Sequence, residues 1–145
     1  MILTPFFGVD DLLFGMKQED VIARKGAPSR QFKDEDGNVI FLYDNAKLRL
    51  SFYEEGDFRL GYIITAHPDV EVAGVKPIGL TKEALLPTMR EAGFPKWTTE
   101  AFDTYENFVN EEHWLVIQTE FGEVVKIEAG AAINEKTDEF DWKFQ

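Results

Sequence analysis

Val39-Ile-Phe-Leu-Tyr-Asp-Asn-Ala-Lys-Leu-Arg-Leu-Ser-Phe52 is a stretch in which two apolar runs flank the turn-forming pair Asp44-Asn45. From position 47 to 52 the stretch alternates polar and apolar residues, which is the pattern of a strand buried on one face. A further turn is predicted on each side of it, at Asp36-Gly37 and at Glu54–Asp57. Strands joined by such short turns pair in opposite directions, so the sequence predicts an antiparallel sheet.

The alternation also predicts which side chains of the second strand face the core. Leu48, Leu50 and Phe52 should be buried together. Arg49 and Ser51 should point to the opposite face and remain exposed to solvent. A shift of the strand by one residue would exchange the two sets, so their burial tests the predicted register.

Glycine and proline mark the ends of two predicted helices. The first helix spans about residues 17–25, between Gly15 and Gly26. The second lies at Thr81–Ala92, with its first residue as the N-cap. Pro87 falls inside this second segment, and because proline disrupts helix interiors, we expect the helix to start afresh there.

Three short sequence features recur in the same order in the two halves of the chain. They are Phe14–Glu19 with Ile78–Glu83, Gly26–Pro28 with Gly93–Pro95, and Glu54–Asp57 with Glu120–Glu123. Recurrence at a nearly constant offset is the signature of an internal repeat. We therefore predict a single domain over residues 1–145, built from two similar units of about 1–70 and 71–145.

Each unit contains one helix followed by predicted strands. In the second unit the strands are expected near 103–109, 114–120 and 123–129, and the alternating tail Phe140–Phe144 is expected to form a last, edge strand. The predicted fold class is α+β, an antiparallel sheet with helices on one face, made of two tandem helix–β–β–β units. The alternative is an α+β domain in which the shared turns are coincidental.

The run Gly15-Met-Lys-Gln-Glu-Asp-Val-Ile-Ala-Arg-Lys-Gly26-Ala-Pro28, followed by an aromatic-rich strand pair, resembles the small-protein-A type repeat. In that family a glycine opens the helix and a Gly-x-Pro sequence closes it before an antiparallel sheet. Tandem pairs of similar units make the fold of the β-lactamase inhibitor proteins. The resemblance implies non-enzymatic protein binding through the open face of the sheet. The second unit departs from the pattern at Pro87.

The composition excludes several classes of protein. The chain of 145 residues has no cysteine, which excludes disulfides, thiolate metal sites and thiol nucleophiles. Its formal net charge of −12 argues against nucleic-acid binding, because phosphate contacts need lysine and arginine. The sequence shows neither a secretory signal nor an apolar run of bilayer-spanning length. We expect a cytoplasmic protein with no nucleic-acid partner and no membrane partner.

No residues are arranged with the spacing of a catalytic or metal-binding motif. His67 and His113 fall in different units. Gly74–Thr81 resembles a phosphate-binding loop, but Leu80 occupies the place of its essential lysine. Asp34–Asn38 resembles a calcium loop, although a hairpin turn explains it better. We predict no catalytic residue, no metal and no cofactor.

Acidic clusters and tryptophans are the candidates for contact with a partner. The predicted partner-binding residues are Glu54, Glu55, Asp57, Trp97, Glu111, Glu112 and Trp142. The carboxylates would attract a basic partner, and a tryptophan would anchor it by burying a large ring. The alternative explanations are solvated turns for the carboxylates, and a place in the core or at its rim for the tryptophans.

Three functions follow from these features. The first is an acidic protein that binds a basic protein, most concretely an immunity-type inhibitor of a basic toxin or enzyme. The second is a small-ligand-binding or enzymatic α+β domain with a pocket between the units, using carboxylates such as Asp44 or Glu111. The third is a homodimeric structural protein. We favour the first because it agrees with the charge, the resemblance and the lack of a catalytic set.

Overall fold

An eight-stranded antiparallel sheet dominates the computed structural model, which describes residues 1–145. The elements in chain order are β1 (Leu3–Thr4), β2 (Gly8–Val9), β3 (Leu12–Leu13), α1 (Gln18–Lys25), β4 (Arg30–Lys33), β5 (Val39–Tyr43), β6 (Leu48–Tyr53), β7 (Arg59–Thr65), α2 (Lys82–Glu91), β8 (Thr98–Ala101), β9 (Tyr105–Asn110), β10 (Leu115–Glu120), β11 (Glu123–Gly130), β12 (Ile133–Asn134) and β13 (Glu139–Phe140). The sheet order β4-β5-β6-β7-β11-β10-β9-β8 brings the last strands of the two halves together at the centre. The predicted duplication stays a prediction, because a shared order of elements does not show that the two halves superpose.

The predicted fold class is wrong, because the chain is mostly β. Strands hold 43% of the residues and helices 14%. One continuous sheet replaces the two helix–β–β–β units, and the helices are only one part of what covers its core face. Much of the remaining cover consists of β1–β3 and of irregular segments around Val70 and Trp142. Strands of two residues are too short to show an alternating pattern, so the sequence did not reveal this layer.

The register of β6 confirms most of the burial prediction. Leu48, Leu50 and Phe52 are all buried in the core, and Arg49 is partly exposed. Ser51 was expected to be exposed but has only 8% of its surface accessible. It lies between Ile40 of β5 and Tyr62 of β7 on the opposite face, and these larger neighbours shield its small side chain.

Both predicted helices form. The core face of α2 buries Leu85 and Met89, and its N-cap is Thr81, whose Oγ1 accepts a hydrogen bond from the Ala84 N–H at 3.3 Å. The expected restart at Pro87 is wrong, because the helix continues through this residue. Pro87 is the sixth of the ten residues of α2, so the helix loses one backbone hydrogen bond there, and burial of the apolar face compensates for it. Neither helix has the length and apolarity that a membrane span requires.

The predicted edge strand at the end of the chain is also wrong. Only β13 is a strand there, and it pairs with β12 in a separate two-stranded ribbon. Beyond it, the N–H groups of Lys143 and Phe144 donate to the carbonyl of Phe14 at 3.1 and 3.0 Å. The alternation of this tail thus places Phe140 and Trp142 against the body of the protein, without adding a strand to the large sheet.

The turn between β10 and β11 supports a stability prediction. Phe121 and Gly122 both have positive φ angles, 48° and 79°. Two positive φ angles define a type of two-residue hairpin turn in which the sequence Asn-Gly is preferred. The side chain of Phe121 is 86% exposed, so it contributes little packing. We expect Phe121→Asn to raise the free energy of unfolding by about 1 kcal/mol, because asparagine tolerates the left-handed conformation better. Urea denaturation measures this change, and a lower stability would contradict it.

Candidate functional site

The tail of the chain closes one side of an acidic cleft, here called the tail cleft. Its volume is about 640 Å³, and its lining residues are Glu55, Gly56, Asp57, Arg59, Ile133, Asp138, Glu139, Phe140 and Trp142. The turn after β6 supplies one wall, and the segment from β12 to Trp142 supplies the other. Three of the predicted binding residues, Glu55, Asp57 and Trp142, therefore meet although they are far apart in sequence.

Stacked aromatic rings form a platform within the tail cleft. The rings of Phe140 and Trp142 lie 4.5 Å apart and within 19° of parallel. Tyr53 extends this stack, with its ring centre 5.7 Å from that of Phe140. Gly56 lies against the Trp142 ring so closely that an added Cβ would be 3.0 Å from Cζ2. The absence of a side chain at Gly56 thus allows Cζ2 and Cη2, on the benzo edge of the indole, to approach the backbone.

Carboxylates outnumber cations around this platform. Glu55, Asp57, Asp138 and Glu139 are all exposed at the cleft. Its single lining cation is Arg59, whose Nη1 donates to the Gly15 carbonyl at 2.7 Å and is thus engaged within the protein. The arrangement provides a negatively charged rim around an aromatic surface, which suits an arginine or lysine side chain.

The indole N–H of Trp142 has no hydrogen-bond partner in the chain, whereas that of Trp97 is in use. Trp97 Nε1 donates to the Phe94 carbonyl at 2.6 Å. Trp142 takes part only through its carbonyl, which accepts a hydrogen bond from Gln145. Trp142 therefore retains a donor for a partner, and Trp97 is better explained as a structural residue.

The other predicted carboxylates lie outside the tail cleft. Glu54 lines a neighbouring depression together with Asp36, Asn38 and Glu55. Glu111 and Glu112 meet Trp97 in a second cleft of about 580 Å³. This second cleft also contains Arg90 and Lys96, and Lys96 forms an ion pair with Glu112 at 3.6 Å. Its two cations face three carboxylates, with Glu135 as the third, so the second cleft is less negative than the tail cleft and is the weaker candidate for binding a cation.

Burial keeps two tyrosines near this side of the sheet in the neutral form. It raises the pKa of Tyr53 to about 12, with smaller contributions from the charges of Glu55, Asp34 and Glu128. Burial also raises the pKa of Tyr62, whose hydroxyl donates a hydrogen bond to Glu128. Tyr53 therefore offers the platform an uncharged ring under all physiological conditions.

The carboxylates suggested for a small-ligand site do not converge. Asp44 and Glu111 line different clefts. No three histidine, aspartate or glutamate side chains form a metal-binding group. His67 accepts a hydrogen bond from the Asp69 N–H, and His113 packs edge-on against Phe94.

Sequence reasoning missed several residues of the tail cleft. Asp138, Glu139, Phe140 and Arg59 were not proposed as binding residues, although all of them line it. The alternation of aromatic and charged residues from Phe140 onward was a signal in the sequence, but it predicted an edge strand and not a binding site. A contact between residues about 80 positions apart leaves no local pattern in the sequence.

No protein-family model matches the chain, and no curated protein matches it. Solved structures that share its fold include the following three. A DUF4309 family protein, YjgB from Bacillus subtilis, is 16% identical with a TM-score of 0.53, over 86% of this chain and 84% of that one. An extracellular protein containing a SCP domain from Bacillus anthracis is 13% identical with a TM-score of 0.52, over 81% of this chain. A cysteine-rich secretory protein from Staphylococcus aureus is 10% identical with a TM-score of 0.52, over 99% of this chain.

The chain spans 44% of the length of the Bacillus anthracis protein and 55% of the length of the Staphylococcus aureus protein. Identities this low show a shared fold and nothing about activity. Two of the three descriptions concern extracellular or secretory proteins, so they lend no support to the predicted cytoplasmic location, which stays a prediction.

The resemblance to small-protein-A type repeats, and with it the β-lactamase inhibitor fold, is wrong. The chain's structural neighbours are sheet-rich folds of other kinds, and its own sheet is continuous through both halves. The matching residues from Gly15 to Pro28 specify only where α1 begins and ends. Such helix boundaries occur in many folds, because they follow from local backbone requirements.

Proposed function

We propose that the chain is a non-enzymatic, acidic protein-binding module that captures a basic partner in the tail cleft. The observation that carries this proposal is the cleft itself, in which four carboxylates surround an aromatic platform. Trp142 adds an unused indole donor to the same surface. Aromatic anchors ringed by polar groups are the usual centres of protein–protein interfaces.

Binding would proceed in two physical stages. The net charge of −12 attracts a basic protein over distances comparable to the Debye length, about 8–10 Å at ordinary salt. An arginine of the partner then stacks on Trp142 while Glu55 or Asp57 accepts its hydrogen bonds. Asp57 already forms an ion pair with Lys17 at 3.3 Å, but this pair is solvent-exposed and is readily exchanged for the arginine. The indole N–H is free to donate to a backbone carbonyl of the partner.

The most concrete form of this function is a cytoplasmic, immunity-type inhibitor of a basic toxin or enzyme. The acidity and the composition of the tail cleft support it. The family resemblance that implied inhibition is wrong and gives no support. The proposal of an inhibitor therefore rests on the charge of the chain and on the chemistry of the tail cleft alone. A homodimeric structural role has no comparable support from a particular surface.

Neutralising the acidic turn tests the first stage of binding. We expect the triple variant Glu54→Gln, Glu55→Gln, Asp57→Asn to bind a fluorescent hexa-arginine peptide with an association rate about tenfold lower at low salt. Asn is well suited to position 57, where φ is 58°, so the variant should fold. Stopped-flow fluorescence over a series of salt concentrations measures the rate.

The matched control removes the same number of exposed carboxylates elsewhere, as Glu91→Gln, Glu100→Gln, Glu120→Gln. The control should retain most of the association rate, because these residues lie away from the tail cleft. Equal slowing of the two triple variants would show that net charge alone attracts the peptide. The proposed site would then be rejected.

A further inference from the structure

One cleft of this acidic protein is lined by cations, and it is called the basic cleft here. It has a volume of about 340 Å³ and lies on the side of β4–β7 that faces away from the core. Its charged lining residues are Arg30, Lys47, Arg49 and Lys126, with Asp44 as the only acid. It shares no residue with the tail cleft, and its charge has the opposite sign.

The sheet register explains why two of these cations lie side by side with apolar residues. Arg30 pairs with Leu42, Leu42 with Arg49, and Arg49 with Ile64, so the four residues form a row across β4, β5, β6 and β7. Paired residues on neighbouring strands project from the same face. Two guanidinium groups are therefore presented above an apolar floor formed by Leu42 and Ile64.

Most of the cationic groups in this cleft form no ion pair within the protein, although the charge of Arg49 acts on the nearby carboxylate of Asp34. Lys126 forms an ion pair with Glu128 at 3.5 Å, whereas Arg30, Lys47 and Arg49 form none. The Nε atom of Arg49 is buried and has no hydrogen-bond partner. A buried donor without an acceptor is unfavourable, so a movement of the Arg49 side chain that brings this donor to an anionic oxygen would be favoured.

Two of these cations, Arg49 and Lys47, have further contacts around the cleft. The Arg49 guanidinium lies 5.9 Å from the centre of the Phe32 ring. At the turn between β5 and β6, the Lys47 N–H donates to the Asp44 carbonyl at 3.1 Å. The Lys47 carbonyl in turn accepts from the Ala66 N–H at 3.0 Å. The backbone is thus fixed on both sides of Lys47, while its ammonium group remains available.

We propose that the basic cleft binds a small organic dianion, a phosphate monoester carried on an apolar or aromatic group. Three cations that form no ion pair match the charge of a phosphate monoester better than that of a single carboxylate. The apolar floor suits the group that carries the phosphate. This site is independent of the proposed protein-binding function, since it uses other residues on another surface.

Titration with phenyl phosphate, followed by ¹H–¹⁵N NMR at low ionic strength, tests the proposal. We expect saturable shifts of the amide signals of β5–β6 and of the turn at Lys47. Inorganic phosphate should bind more weakly because it lacks the apolar group, and benzoate should bind more weakly because it carries one charge. Binding of benzoate as tight as that of phenyl phosphate would contradict the assignment of a dianion.

Two variants locate the site. Lys47→Asn removes a cation at a position where φ is 48°, which asparagine adopts readily, so this variant should fold. Arg30→Gln removes a second, exposed cation from an edge strand. Each should weaken the binding of phenyl phosphate about tenfold, as expected for the loss of one charged hydrogen bond.

The matched control is Lys33→Gln, on the same strand as Arg30 but outside the basic cleft. It should leave the affinity for phenyl phosphate within about twofold of the unmodified protein, since only screened, long-range attraction is lost. The absence of saturable binding would overturn the proposal. Equal weakening by Lys33→Gln and Lys47→Asn would also overturn it, because that result indicates diffuse attraction without a site.

Discussion

Replacing Gly8 with alanine is expected to lower the free energy of unfolding by about 3 kcal/mol or more. A Cβ at this position would lie 1.9 Å from the carbonyl oxygen of Leu12, so the hairpin of β2 and β3 cannot accept it without moving backbone. Its φ of 146° is also outside the range that other residues favour. Because Val9 and Leu12 belong to the core, displacement of this hairpin would expose apolar surface.

Urea denaturation measures the loss, and Gly93→Ala provides the control. Gly93 also has a positive φ, 104°, but a Cβ added there would have no other atom within 4 Å. We expect a loss of about 1–2 kcal/mol there, from the backbone conformation alone. Equal losses for the two variants would show that the close approach of Gly8 to Leu12 contributes nothing to the stability of the fold.

Gly15→Ala is expected to have the second-largest effect and to open the tail cleft. A Cβ on Gly15 would lie 2.5 Å from the Phe144 carbonyl oxygen and 3.0 Å from the Cβ of Trp142. The tail would have to move away, with loss of the hydrogen bonds from Lys143 and Phe144 to the Phe14 carbonyl. We expect a loss of roughly 2–3 kcal/mol in stability, together with loss of hexa-arginine binding.

Gly56→Ala separates the position of the Trp142 ring from the attachment of the tail. The new methyl group would lie 3.0 Å from Cζ2 and 3.3 Å from Cη2 of Trp142, so the ring would have to shift. Binding of hexa-arginine should weaken while the hydrogen bonds of Lys143 and Phe144 are retained.

Full affinity of a folded Gly15→Ala protein would show that the tail takes no part in the binding site.

Local features of the chain were predictable because they depend on neighbouring residues. The turn at Asp36-Gly37 joins β4 and β5 as expected. The alternation around Leu50 identified β6 and its core face. Helix boundaries followed from Gly26 and from the N-cap at Thr81. In each case the deciding physical requirement acts over a few residues.

The arrangement of these elements depended on contacts that have no local pattern. Nothing near β7 indicates that it pairs with β11, about 60 residues further along the chain. Ser51 is buried because its cross-strand neighbours Ile40 and Tyr62 are large, not because of its own place in the alternation. Similarity to a repeat family was misleading because it rested on the ends of one short helix.

The residues of the two clefts could likewise be predicted only in part from the sequence. The sequence identified Glu55, Asp57 and Trp142 as candidates, but only the fold brings them together. Arg30, Lys47 and Arg49 were not predicted as binding residues in a chain of net charge −12. Their grouping follows from strand register and from the turn at Lys47. The net charge of a chain therefore does not reveal a local site of opposite sign.

The proposed function requires that a basic partner in the tail cleft contacts Trp142. A ¹H–¹⁵N NMR titration with hexa-arginine peptide follows the indole N–H signals of the tryptophans one by one. We expect a saturable, salt-sensitive shift of the Trp142 signal, because its donor is unused. The Trp97 signal should stay in place, because its N–H is bonded to the Phe94 carbonyl. A Trp142 signal that does not move at saturating peptide would contradict the proposed function.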